Sequence, residues 1–574
     1  MGVRANKILL LVSSLAALVL LVGAAYRENV SREWRRLQRS YRGALATPQR
    51  DEFSVQLRQV YVPALRVTDR CISCHLGMAP GESALAKDRV FHAHPAVVHD
   101  PADYGCVTCH GGQGRATERA DAHGSVEYWP EPMLPQRFAY AGCGTCHTHL
   151  AVPNLGRLAR GRALVERYDC LACHQLDGRG GTLRPGRAAQ ATPGAEQGTA
   201  GVAQVATPDL SRVGGTGYRR DWYESHLAQH TAASAELWRV SFGPIATEDR
   251  QAIEELLSSR VGAPGLVEAK AIFHSLGCRG CHKINGVGGD DGPDLTREGR
   301  KEPGRLDFTH VPGERTLAGW LAAHFRAPAV IVPGSQMPQL SLSDDQIEAL
   351  TYYMLSLRAG EYPEAYWPED RMRAERFNER EFTADGATLY GTFCAACHGP
   401  SGEGMRYPGM AAFPAIGNRD FLAVAADRFI AETVTHGRPG RRMPAWGDKE
   451  GGLRPAEIGA VVAHVRALGN GVPSPQEMEP RRWVTGDGQA GARLFAETCA
   501  LCHGATGQGA EGPALRNRAL LASATDTYLV ETIRRGRRGT SMPSFTAAST
   551  IHRSLSEQDI ESIVTFLRSW EVKP

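Results

Sequence analysis

The sequence predicts a mainly α-helical chain in three parts: an N-terminal transmembrane helix, an irregular segment, and four tandem helical modules. Three observations predict it. One pentapeptide, C-x-x-C-H, occurs seven times and takes up all fourteen cysteines. Apolar residues three or four apart precede the last four copies, and a similar pattern closes three of those stretches, the period of one helix face. An uncharged run, Ile8 to Ala25, opens the chain, and the 42% apolar and 22% charged residues are an ordinary globular composition.

The apolar run follows Arg4 and Lys7. Its eighteen residues are at the short end for a spanning helix and on the long side for a signal-peptide core. We read residues 1–26 as a membrane anchor, with a cleaved signal peptide as the alternative, since GAA before Tyr26 suits a peptidase. Residues 27–69 read as a stalk. Its ENVSREWRRLQRSYRGAL has a basic, aromatic helical pattern that suits a membrane surface or a solvated helix equally. No second run is long enough to span.

The seven pentapeptides are CISCH (Cys71, Cys74, His75), CVTCH (Cys106, Cys109, His110), CGTCH (Cys143, Cys146, His147), CLACH (Cys170, Cys173, His174), CRGCH (Cys278, Cys281, His282), CAACH (Cys394, Cys397, His398) and CALCH (Cys499, Cys502, His503). C-x-x-C-H is the attachment motif of c-type haem. Two spacers put both sulfurs on one side of a helical turn, where they can bond the two porphyrin vinyls, and the adjacent histidine reaches the iron as proximal ligand. A lone copy could be a zinc half-site or a redox dithiol, but seven copies with no cysteine left over exclude disulfides and a thiolate haem ligand. On these motifs the chain resembles a multihaem c-type cytochrome, and the resemblance implies seven covalently bound haem c groups. It also implies an orientation: such haem is attached outside the bacterial cytoplasmic membrane, so the haem-bearing part is expected on the periplasmic side.

Residues 70–156 hold three motifs in too little chain for three separate cores, and read as a triheme domain organised by its haems. The next four motifs follow GRALVERYDC, AKAIFHSLGC, GATLYGTFC and GARLFAETC. Closing helices are expected around Ile347 and Leu350, around Ile458, Val461 and Val462, and around Ile560, Ile563 and Val564, with Ser343 and Ser556 as N-caps. A helix before the haem, a loop-rich middle and a closing helix resemble class I cytochrome c. The expected domains are residues 157–261, 262–360, 381–470 and 485–574. Polar linkers follow the second and third of these, EYPEAYWPEDRMRAERFNERE from Glu361 and GVPSPQEMEPRRW from Gly471. Residues 183–206, rich in Ala, Gly, Gln and Pro, read as a surface insertion in the first.

A low-spin iron needs a sixth ligand, methionine or a second histidine. Met337 in SQMPQL, Met443 in RRMPAW and Met542 in TSMPSF lie 55, 45 and 39 residues after their proximal histidines, each before a proline and a closing helix. They are the expected sixth ligands of the last three haems. In the triheme segment, histidines outnumber methionines. HPAVVHDPADYGCVTCHGGQGRAT and DAHGSVEYWPEPML resemble triheme regions near bacterial cytochrome b or quinol-oxidising complexes, which favours His94, His99 and His123 over His92 and His149. Which histidine serves which iron stays open.

The fourth haem breaks the pattern. Gly243 in SFGP occupies the slot that Met337 fills in the next module, and no methionine occurs between Met133 and Met337. His226 in WYESH parallels His324 in WLAAH, a module that keeps its methionine, which suggests a structural role for His226. His230, one helical turn later, is the first-choice ligand; an open iron and a histidine from another module are the alternatives.

These ligand sets suggest a membrane-anchored electron carrier. It would accept electrons from a quinol-oxidising membrane partner and pass them to a periplasmic cytochrome, oxidase or reductase. The alternative is an oxidoreductase acting on peroxide, a nitrogen oxide or a sulfur oxyanion at a five-coordinate fourth haem. The formal charge of +3 gives no ground for nucleic-acid binding, and no phosphate loop or dinucleotide fingerprint is present.

Overall fold

The computed structural model describes residues 2–95, 97–126, 128–181, 209–216, 220–231, 245–476, 480–549 and 552–571, without the side chains of residues 216, 220 and 228–231. The expected insertion at 183–206 and the SFGP segment with Gly243 lie outside these residues. Among them the chain is mainly α-helical, and its strands form three two-stranded antiparallel hairpins. The Val3–Asn29 helix is long and apolar enough to cross a membrane, and it buries none of its residues against the rest of the chain.

The stalk differs from the expectation. Its Glu33–Ala44 helix does not present its aromatic face to a membrane or to water, because Trp34, Gln38 and Tyr41 are buried. Tyr41 packs on Phe53 and Phe91, with ring centroids 5.2 Å apart in each case, and its hydroxyl donates to the Ser83 carbonyl at 2.6 Å. The Gln38 amide donates to the carbonyls of Gln56 (2.8 Å) and Ser73 (2.9 Å), so a polar side chain with no exposed surface is fully used. The helix thereby clamps the first C-x-x-C-H turn.

Four times along the rest of the chain, a helix ending at a C-x-x-C-H motif packs across a later one. The pairs are Leu155–Arg167 with Thr247–Ser258, Pro264–Ser275 with Asp344–Ser356, Gly386–Phe393 with Pro455–Leu468, and Gly488–Thr498 with Glu557–Arg568. Close crossing needs a small residue. Gly161, Gly386 and Gly491 each lie against a backbone carbonyl of the partner helix, of Ala252, Ala460 and Ser562, where a Cβ would collide. Ser343 and Ser556 form capping boxes at two closing helices, as expected.

The four units fall into two similar pairs. In the first, hairpins Gln175–Leu176/Arg179–Gly180 and Lys283–Ile284/Val287–Gly288 follow their motifs directly. Their turns are Asp177-Gly178 and Asn285-Gly286, all with positive φ, as a tight hairpin turn requires. In the second, equivalent residues meet across the contact between the two units. Phe429 faces Tyr528 at 4.3 Å, Asn418 donates to the Arg538 carbonyl (2.8 Å), and Asn517 donates to the Pro439 carbonyl (3.0 Å). One continuous apolar core runs through both.

A buried ionic network ties the two pairs together. Glu381 accepts from Lys270 Nζ and Arg279 Nη1, both at 2.5 Å, and all three side chains are at most 6% exposed. Lys270 Nζ also donates to the Leu150 carbonyl (2.6 Å) and Arg279 Nη2 to those of Ile284 and Val287 (both 2.7 Å). Burial alone would raise the Glu381 carboxyl, but Lys270 and Arg279 outweigh it and hold the group well below the usual carboxylate range. A carboxylate depressed in the folded state stabilises above its unfolded pKa of about 4.3, and that contribution is lost as the pH falls below it. Glu381→Gln should cost about 3–5 kcal/mol, because two buried cations lose their counter-charge. Denaturant melts should detect that loss at pH 7, and a smaller difference from wild type at about pH 3.

Candidate haem sites

Each motif is wound as a single turn. The histidine N–H donates to the carbonyl of the first cysteine at 2.9–3.1 Å in the motifs of His75, His147, His174, His282, His398 and His503, and Cys106–His110 is itself a short helix. That turn puts two sulfurs and an imidazole on one side, as the spacing predicts. Burial pushes the Cys278, Cys394 and Cys499 thiols up to about 12.

A proximal imidazole ligates through Nε2 when Nδ1–H is occupied elsewhere. Nδ1 of His282, His398 and His503 donates to the carbonyls of Pro293 (2.9 Å), Pro414 (2.9 Å) and Pro513 (2.8 Å). Nδ1 of His75 is 3.3 Å from the Val90 carbonyl, and Nδ1 of His147 is 3.5 Å from Asp370 Oδ1. Asp370 lies in the linker after Glu361, which therefore folds back on the third motif through its Glu369–Phe377 helix. Burial lowers the pKa of His75, His110, His282, His398 and His503, keeping the rings neutral, the form that binds metal.

The N-terminal four motifs share a further geometry. His75 faces His123 with ring centroids 6.4 Å apart, His110 faces His94 at 6.1 Å, His147 faces His99 at 6.2 Å, and His174 faces His226 at 6.4 Å. Two metal–imidazole bonds of about 2 Å, plus about 1 Å from each nitrogen to its ring centre, amount to about 6 Å. A separation of 6.1–6.4 Å would suit one iron between the rings of each pair. Among the described residues, neither His92 nor His149 stands in such a pair. His226 is stacked on Trp222 (4.8 Å, 10°) as His324 is on Trp320 (5.0 Å, 5°), so the parallel between WYESH and WLAAH is real, yet it does not keep His226 from facing His174. His230 lies one turn further along the Arg220–Thr231 helix, and its side chain is outside the described ones.

The methionines sit on pinned loops. Arg438 N–H donates to the Met443 carbonyl and Arg537 N–H to the Met542 carbonyl, both at 2.9 Å. Met337 N–H bonds the Ser335 hydroxyl at 3.2 Å.

Sequence reasoning missed several supporting residues. Buried Asp69 accepts from the N–H groups of Cys71 and Val107, both at 2.9 Å, and so holds the first two motifs together. Asp69, Cys71 and Cys106 offer ligand atoms within 4.8 Å of one another. Cys281 and Cys397, from different motifs, are likewise close neighbours. Only the aspartate just before CISCH was a visible signal.

Repeated motif turns, neutral imidazoles and paired rings define a multihaem c-type cytochrome, and comparison with known proteins agrees. Residues 266–358 match the family described as "Cytochrome c". Residues 381–465 and 486–567 match "Cytochrome C oxidase, cbb3-type, subunit III". The cbb3-type cytochrome c oxidase subunit FixP of Bradyrhizobium sp. (strain ORS 278) is 36% identical over 172 residues, 28% of this chain and 54% of that protein. The cbb3-type cytochrome c oxidase subunit CcoP of Azospirillum sp. (strain B510) is 28% identical over 32% of this chain and 61% of that protein. The chain therefore spans little more than half the length of these relatives. A chain of the Kuenenia stuttgartiensis reducing HAO-like protein complex covers 33% of this chain and 97% of its own, at 18% identity and a TM-score of 0.23.

Gly292 packs against the His282 ring, where an added Cβ would collide with Cε1, and a Cβ at Gly512 would lie 2.9 Å from the same atom of His503. Gly292→Ala should therefore tilt His282 and weaken the absorbance of its haem site, leaving a high-spin ferric signal in electron paramagnetic resonance (EPR). Gly459→Ala, at a position with open space, should leave both spectra unchanged.

Proposed function

We propose that the chain is a membrane-anchored periplasmic electron carrier with seven haem c groups, four held by two histidines and three by histidine and methionine. In this reading the axial pairs are His75/His123, His110/His94, His147/His99 and His174/His226, and then His282/Met337, His398/Met443 and His503/Met542. The observation that carries it is the set of four histidine pairs at 6.1–6.4 Å. With His226 opposite His174, both axial positions of the fourth site would be taken by protein, which favours a carrier over the oxidoreductase alternative. This reading takes His226 as the ligand instead of His230, whose side chain lies outside the described ones.

Held this way, haem iron exchanges single electrons, at a potential that methionine ligation raises relative to two histidines. The protein fixes the rings, keeps them neutral and holds successive motifs against each other, at Cys71/Cys106 and at Cys281/Cys397. The low-potential end then adjoins the anchor, which suits a quinol-oxidising membrane donor. The acceptor would be a periplasmic cytochrome or an oxidase. The names of the relatives, subunits of cbb3-type cytochrome c oxidase, support membership of a respiratory complex.

EPR of the oxidised holoprotein tests the ligation. Wild type and His230→Ala should be wholly low-spin, and His226→Ala should gain one high-spin ferric signal. A high-spin signal already present in wild type, or produced by His230→Ala alone, would overturn the assignment.

A further inference from the structure

The spacers of the seven motifs differ sharply in exposure. Those of the first six are buried or half-buried, because other parts of the chain cover them. In the seventh, Ala500 is half-buried and Leu501 is 91% exposed, more than any other large apolar side chain among the described residues. A leucine held in solvent on a rigid turn calls for an explanation that a scattered surface residue does not.

The equivalent residue of the sixth motif suggests one. Ala396 occupies the position of Leu501, on a turn with the same helical form. It packs on the fifth motif: a Cβ on Gly277 would lie 2.8 Å from the Ala396 Cβ, and Gly277 (φ 69°) and Gly280 give this turn a surface flat enough to meet it. Around that contact Gly288 N–H donates to the Gly451 carbonyl (3.1 Å), and Arg442 pairs with Asp291 at 2.5 Å. Within this chain, then, the face of such a unit around its second spacer is a surface on which another haem-attachment turn docks. The seventh unit meets its neighbour through Tyr528, Asn517, Arg538 and Glu511, and Leu501 stays uncovered.

We propose that the surface centred on Leu501 docks a separate c-type cytochrome, which presents its own haem-attachment turn as the Gly277–Gly280 turn does to Ala396. The inference rests on the proposed function, in which the chain has a soluble electron partner. It goes further by naming the point of contact and the class of surface that fits it. Leucine in place of alanine suits an association between separate chains, where one apolar anchor at the centre of a small contact carries much of the affinity.

The test is equilibrium binding of the full-length oxidised holoprotein, in detergent, to an oxidised soluble monohaem class I cytochrome c. With both proteins oxidised no electron moves, so binding is read separately from electron transfer and from the EPR test of ligation. Leu501→Glu should weaken binding about ten-fold and Leu501→Ala by less. Phe377→Glu, at an apolar side chain 71% exposed elsewhere, should leave it unchanged. Haem content and circular dichroism should match wild type in all three. The proposal is overturned if the wild type does not bind, if Leu501→Glu binds as tightly as wild type, or if Phe377→Glu weakens binding equally. Sedimentation supplies a further outcome: a wild-type dimer that Leu501→Glu dissociates would make the occupant a second copy of this chain, and would also overturn the proposal.

Discussion

The distance of about 6 Å between facing imidazoles is the constraint on which the N-terminal half depends. Each pair joins residues far apart in the chain: His123 reaches back past the second motif to His75, and His99 reaches forward past it to His147. Such pairs can form only if the backbone between them is held, and this segment has few apolar residues with which to hold it. Polar side chains serve instead. Asp69 ties two motif turns together through their N–H groups, and Gln38 anchors the first turn to the Glu33–Ala44 helix. Buried polar groups of this kind are costly unless every one is satisfied, so they favour one arrangement strongly over its neighbours.

The C-terminal half solves the same problem differently. Each unit has its own crossed helices, and in the last three the proximal ring is set by a proline carbonyl rather than by another module. The last two units share a core and meet through equivalent residues, so their relative position follows from their fold. Between the first pair and the second, the described residues share less apolar contact, with Val152 and Val287 packed against the second pair's core. There the contact depends on Glu381 with Lys270 and Arg279, and on glycines that let Gly277 approach Ala396.

Much of this was legible in the sequence, and the limits have physical causes. The helices were visible because their apolar period is local, and Ser343 and Ser556 announced their caps. The candidate distal histidines were readable as residues; their partners were not, since pairing depends on tertiary distance. His226 reads as structural in the sequence because its counterpart His324 belongs to a unit with a methionine. Stacking on tryptophan is common to both, but what stands opposite the ring is not a property of the helix that carries it. The stalk's helical pattern suited a membrane surface or solvent equally, and the Glu361 stretch read as a polar linker, whereas a few residues in each, Gln38 and Tyr41 or Asp370, decide where they pack.

The choice of an ion pair at the junction between the two pairs of units follows from what that junction must do. An apolar contact of similar area would be as stable and more tolerant of sliding, since dispersion has little directionality. Glu381 instead accepts from two fixed donors, each committed to backbone carbonyls of its own, which leaves one geometry that satisfies every group. That geometry brings Cys281 and Cys397 into contact. Electron transfer is sensitive to the separation between carriers, so a junction that resists sliding at the cost of burying charge is the arrangement expected wherever two attachment turns must stay in register.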